Sequence, residues 1–127
     1  MKAHLFTCPV CGFIVFSEPS GSFDICPVCQ WEDDHVQLAY PGLGGGANGA
    51  SLWDYQKVFF ANHSLDLKRY RGYQKDPEWR PLILDDLQNT ESAPSTGLEY
   101  FYAAGADAPQ YYWKKHYQNG NSNDSNV

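Results

Sequence analysis

The tetrapeptide Cys-Pro-Val-Cys occurs twice near the start of this chain, at positions 8–11 and 26–29, and these repeats hold every cysteine of its 127 residues. The pattern C-x2-C-x14-C-x2-C falls about one residue short of the usual spacing for paired zinc knuckles. Two intervening residues let a tight turn aim both sulfurs at one point, and the proline presets φ for that turn. Gly12, just past the first repeat, permits the positive φ that the end of a knuckle needs. Two such turns facing each other supply four sulfurs at tetrahedral corners, about 2.3 Å from a zinc ion. Cys8, Cys11, Cys26 and Cys29 are therefore the expected metal ligands, and zinc is the expected metal. Iron of the rubredoxin kind uses the same ligand set and stands as the alternative. Two disulfides would need an oxidising compartment, and no secretory signal is visible. A thioredoxin-like redox pair would sit singly beside a βαβ pattern, which is missing. With every position filled by protein, no open site is left for a substrate, which disfavours metal-assisted catalysis. His4 and His35 could ligate a metal, but four thiolates make them unnecessary.

The formal charge is −6, and four thiolates around one divalent ion would take it to −8. That balance excludes nonspecific nucleic-acid binding, which needs a dense basic surface. It suits a protein partner with a basic surface. The one basic stretch, Lys68, Arg69, Arg71, Lys75 and Arg80, is interleaved with Asp66, Asp76 and Glu78 and reads as a solvated face. No run approaches 18 apolar residues, so no membrane partner is expected, and reduced thiols place the chain in the cytoplasm. Nine Tyr, seven Phe and four Trp supply apolar bodies with polar handles, suited to a small core or to an interface.

Residues 4–7 and 13–16 read as strands, 18–22 as a turn, and 23–25 as a strand returning into the second knuckle, together a metal-bound hairpin. Trp31 is placed to shield the site or pack on the hairpin. Glu32, Asp33, Asp34 and His35 read as a solvated turn or the first turn of a helix, where carboxylates oppose the dipole. The Gly-rich residues 41–49 lack the G-K-[ST] of a phosphate loop, so the glycines serve positive φ and close backbone approach instead. Ser51 to Asp54 form a capping box opening a helix to about residue 62, with Leu52, Tyr55, Val58 and Phe59 on its core face. Residues 65–73 read as a second helical piece, 76–81 as a proline turn, 82–88 as one or two helical turns, and 89–97 as a polar linker. Residues 99–102 fit strand or helix. Asp107 and Pro109 open a last helix carrying Tyr111, Tyr112, Trp113 and Tyr117, and residues 119–127 read as a disordered tail.

The runs C-P-V-C-G, E-P-S-G-S-F-D-I-C-P-V-C-Q-W-E-D-D, V-Q-L and G-G-A-N-G-A-S-L resemble the cysteine-rich family named for its C-P-C-C motif, over residues 6–60. In one departure, Val10 replaces the inner cysteine of the first knuckle. The resemblance implies a zinc-binding fold with no settled activity. Members resemble proteins encoded near secreted bacterial toxins, which implies an immunity role for some. The expected architecture is an α+β fold with a zinc-ribbon or rubredoxin-like hairpin packed against a few helices. A zinc-binding CPCC-like domain spans 1–62, and an aromatic helical extension spans 63–118. The expected function is a non-enzymatic protein-binding module, possible partners being toxins with a basic surface. A rubredoxin-type redox protein is the alternative, and a small enzyme with a site outside the zinc is a third reading.

Overall fold

The computed structural model describes residues 5–87, 93–104 and 109–115. His4, Asp107, Tyr117 and the 119–127 tail lie outside the described residues. Strand β1 (Phe6–Thr7) pairs antiparallel with β2 (Ile14–Phe16). Phe6 faces Phe16 and Thr7 faces Ile14, so Val15 is the extra residue of a bulge. The first knuckle is the connection between these strands. Residues 23–25 do not pair with β2 as expected. Each knuckle instead closes its own narrow hairpin, Cys8 N–H donating to Phe13 C=O and Cys26 N–H to Trp31 C=O. Ile25 accordingly bridges to Glu32 beyond the second knuckle, and Phe23, at φ 62°, turns the chain into that pairing.

Helix α1 (His35–Ala39) starts at Asp34, whose carboxylate accepts from the Val36 and Gln37 amides. The acidic cluster is thus not solvated: Asp33 and Asp34 are each 1% exposed. Helix α2 (Leu52–Asn62) begins at Ser51, whose hydroxyl accepts from the Asp54 amide, as the capping box predicts. Its buried residues are Leu52, Gln56 and Phe59. Val58, expected in the core, is 67% exposed, because six residues on from Leu52 is about 240° around a helix.

The helical piece expected over 65–73 is a β-hairpin, β3 (Arg69–Tyr70) with β4 (Tyr73–Gln74). Arg71 and Gly72 both take positive φ, 52° and 85°, the two-residue turn whose twist suits a hairpin. Phe13 bridges to Lys75, which lays this hairpin beside the first knuckle. A 3-10 turn covers Leu84–Leu87, and α3 (Gly97–Ala104) takes in the ambiguous aromatic stretch 99–102. The expected last helix is reduced to a 3-10 turn at Tyr112–Lys114. The described residues form an α+β fold of small antiparallel hairpins and three helices around one core, in which all four cysteines are buried with Phe13, Trp31, Leu52 and Tyr112. Among the described residues no helix is long and apolar enough to cross a membrane.

Candidate metal centre

The two knuckles are built alike. Gly12 N–H donates to Cys8 C=O and Gln30 N–H to Cys26 C=O, both at 2.9 Å, and both donors take positive φ, 81° and 72°. The second knuckle tolerates a side chain there. The first does not, since a Cβ on Gly12 would stand 2.6 Å from the Trp79 ring.

Facing each other, the turns bring the four Sγ atoms within 4.8 Å of one another. Cys8 and Cys29 sulfurs lie 3.6 Å apart, and Cys11 and Cys26 sulfurs 3.8 Å apart. Sulfurs about 2.3 Å from a central zinc would be separated by about 3.8 Å, so the donor set fits one ion. The thiols are free, and the four cysteines are positioned to bind a metal ion. The Val28 and Cys29 amides point at Cys26 Sγ, at 3.3 and 3.5 Å, a geometry that favours a thiolate. Among the four thiols, hydrogen bonds from Cys11 and the others pull Cys26 well below the ordinary thiol range, while burial pushes Cys8 and Cys29 up. Metal binding therefore has to displace protons from the buried pair.

Around the sulfurs the chain packs aromatic rings. Trp31 is fully buried, as expected, edge-on to Tyr55 at 5.1 Å, and the Tyr55 hydroxyl donates to Cys29 C=O. Burial pushes the Tyr55 phenol up to about 12, so it stays protonated and able to donate. Pro9 C=O, between the first two cysteines, accepts from Gln56 Nε2 at 2.8 Å and Trp79 Nε1 at 3.1 Å. Lys75 Nζ donates to Cys11 C=O at 3.2 Å. Asp76 carries both ends of a further clasp, its N–H on Gly12 C=O and its carboxylate accepting from the Thr7 hydroxyl.

The basic stretch is not uniformly solvated. Lys68, Arg69 and Arg71 are exposed, but Lys75 lies among three aromatic rings. Arg80 makes a two-pronged ion pair with buried Asp86, at 2.8 and 3.1 Å. Burial lowers the Lys75 pKa, against the opposing pull of Cys11. His35 does not join the sulfurs; its Nε2 lies 3.3 Å from Ala103 C=O.

The profile of the family described as Cysteine-rich CPCC matches residues 6–78. The chain belongs to this family. Compared with curated proteins, it matches none. The CPCC match runs beyond residue 60, the bound read from the sequence, and takes in the β3–β4 hairpin and Lys75. Val10, at the position of the inner cysteine of the C-P-C-C motif, is fully buried in the core.

Two of the CPCC-type runs have a structural explanation that sequence reasoning missed. Gln37, of V-Q-L, is fully buried beneath the Gly-rich loop. Its Nε2 lies 3.0–3.2 Å from the Leu43, Asn48 and Ala50 carbonyls. Its Oε1 accepts from the Asn48 amide and side chain. Asn48 in turn exchanges two hydrogen bonds with the Glu32 backbone, tying the loop to the second knuckle. Close approach is the reason for Gly46, where a Cβ would fall 2.3 Å from the Tyr100 hydroxyl and 2.7 Å from an Asp34 oxygen. No spacing rule flags either residue: Gln37 shows only as a polar residue between Val36 and Leu38, and Asn48 is one more polar residue of the Gly-rich loop.

Proposed function

We propose that this CPCC protein is a zinc-ribbon protein whose metal is structural, and that its folded body acts as a non-enzymatic protein-binding module. The clustering of four buried sulfurs at separations that suit one tetrahedral ion carries the reading. Zinc bound there would have Cys8, Cys11, Cys26 and Cys29 as its ligands and would hold the two knuckles together. A closed sulfur set has no position for a substrate, which supports a structural rather than a catalytic metal. Residues 1–62 would hold the ion, and 63–118 would complete the core over it. The four thiols need reducing conditions for loading, in keeping with the cytoplasm. Protein binding is supported by exposed Leu98, Phe101 and Tyr102 on α3, at 64%, 70% and 68%. The narrower immunity role, against a toxin with a basic surface, rests on the family resemblance and the net charge of −6.

Elemental analysis of the purified chain tests the metal, with one zinc per chain and no visible colour expected. Iron at the sulfurs would give a coloured protein and favour the rubredoxin alternative. A chain that is metal-free yet fully folded would end the structural-metal reading. The binding role is tested by mixing the chain with the product of the neighbouring gene at micromolar concentration; failure to associate would remove the immunity role.

A further inference from the structure

We propose that Lys75 is the built-in counter-cation of the cysteine cluster, a fixed positive charge that offsets the negative charge of the thiolates once they hold a divalent metal. The inference deepens the metal reading above and rests on it. Four thiolates and a divalent ion carry a net −2, and Cys8, Cys11 and Cys26 are 0% exposed, so water screens that charge poorly. A cation close by, itself shielded from water, then interacts with the cluster far more strongly than one at the surface.

Lys75 meets that description. It follows β4 directly, and its backbone pairing with Phe13 fixes it beside the first knuckle. Its ammonium sits 4.9 Å from the Phe13 ring, 4.8 Å from Trp79 and 5.3 Å from Phe60. It donates to the carbonyl of Cys11, itself one of the four ligands. Among the described residues it forms no ion pair with a carboxylate, whereas Lys57, Arg80 and Lys114 each do. A half-buried ammonium without a carboxylate is costly unless another anion compensates it. The anions that attract it are Cys11 and, more weakly, Asp66, and its hydrogen bond to the Cys11 carbonyl sets it against a ligand residue. Arg71, which turns the same hairpin, reaches Pro27 C=O of the second knuckle at 3.5 Å, but it is exposed and its charge is screened by solvent.

The test uses the full chain with Lys75→Met, which keeps the stem and removes the charge, Lys75→Arg, which keeps the charge, and Arg71→Met as the screened comparison. Zinc-loaded proteins are mixed with a chromogenic chelator and the release rate is read. Iron-loaded proteins are titrated for their reduction potential, which packing changes alone would not move in a charge-dependent way. Release about tenfold faster is expected for Lys75→Met, with Lys75→Arg near the unaltered chain and Arg71→Met little changed. The potential of Lys75→Met should fall, because the reduced site is the more negative; a tenfold effect is 59 mV for one electron. If the Met variant does not fold, Lys75→Gln repeats the comparison. Equal release and potential across all variants, or equal changes in the charged and uncharged Lys75 variants, would overturn the inference and leave the metal reading standing. An unaltered chain that binds neither metal would remove both.

Discussion

Replacing Gln37 by Leu removes one side chain of similar size from beneath the Gly-rich loop and leaves a set of buried polar groups without partners. Gln37 is 0% and Asn48 8% exposed, so water cannot readily substitute. Two donors are orphaned, the Asn48 backbone N–H and one hydrogen of its side-chain amide. A buried donor without an acceptor costs about 1–3 kcal/mol. The Leu43, Asn48 and Ala50 carbonyls also lose their common donor. The sum is a loss of about 4 kcal/mol, a large share of the roughly 5–15 kcal/mol that holds a domain folded. Urea unfolding of the metal-loaded protein measures it, and hydrogen exchange at the Asn48 amide should accelerate in parallel. A loss below about 1 kcal/mol with an unchanged urea slope would mean that the loop holds its shape without Gln37, and the reasoning would be wrong.

Gly12→Ala combines a left-handed backbone with a Cβ 2.6 Å from Trp79, and should cost about 2–5 kcal/mol. Gly72→Ala, at φ 85° with nothing within 4 Å, should cost about 1–2 kcal/mol; equal urea midpoints for the two would contradict the contact. Cys26→Ser leaves three thiolates and should largely unfold the N-terminal half, since structural zinc contributes about 10–16 kcal/mol in small fingers; an unchanged Tm would refute a structural role for the metal. Burial raises the Asp33 carboxyl from 3.8 to about 6, so the folded state binds its proton more tightly than the unfolded one. This group therefore adds stability as pH falls from about 6 towards 4 and withdraws it as pH rises. Asp33→Asn should be more stable than the unaltered chain by about 2–3 kcal/mol at neutral pH, the gap closing in acid; parallel stability profiles for both proteins would show that Asp33 does not titrate this way.

The knuckles were legible because their constraint is local: a C-x2-C turn aims its own sulfurs, and two copies leave one way to satisfy four thiols. The 52–62 helix was legible for a similar reason, its capping serine and first-turn aspartate being adjacent in sequence. Misreadings arose where distant groups decide. Gln56, a polar residue, lies in the core because Pro9, Tyr112 and Leu82, all far along the chain, place their polar groups against it. The β3–β4 hairpin has a local cue, Arg71-Gly72 between two tyrosines, a two-residue turn with both φ values positive that a helix cannot accommodate. Asp33 and Asp34 looked like surface carboxylates. Ser22 and the amides of Val36, Gln37 and Ala47 bring them inside, and charge alone does not reveal that.

The carbonyl of Pro9 has a bearing on how the protein is made. All four sulfurs lie within residues 8–29, so a nascent chain can capture its ion early. The groups that roof that carbonyl come much later: Gln56, then Trp79, and last Tyr112, whose hydroxyl stands 3.5 Å away. At 5–20 residues per second, the ribosome needs about 4–17 s between the last cysteine and that tyrosine. Through that interval the Pro9 carbonyl, between the first two cysteines, stands without its long-range donors, and the first knuckle is completed only when the last of them folds over it.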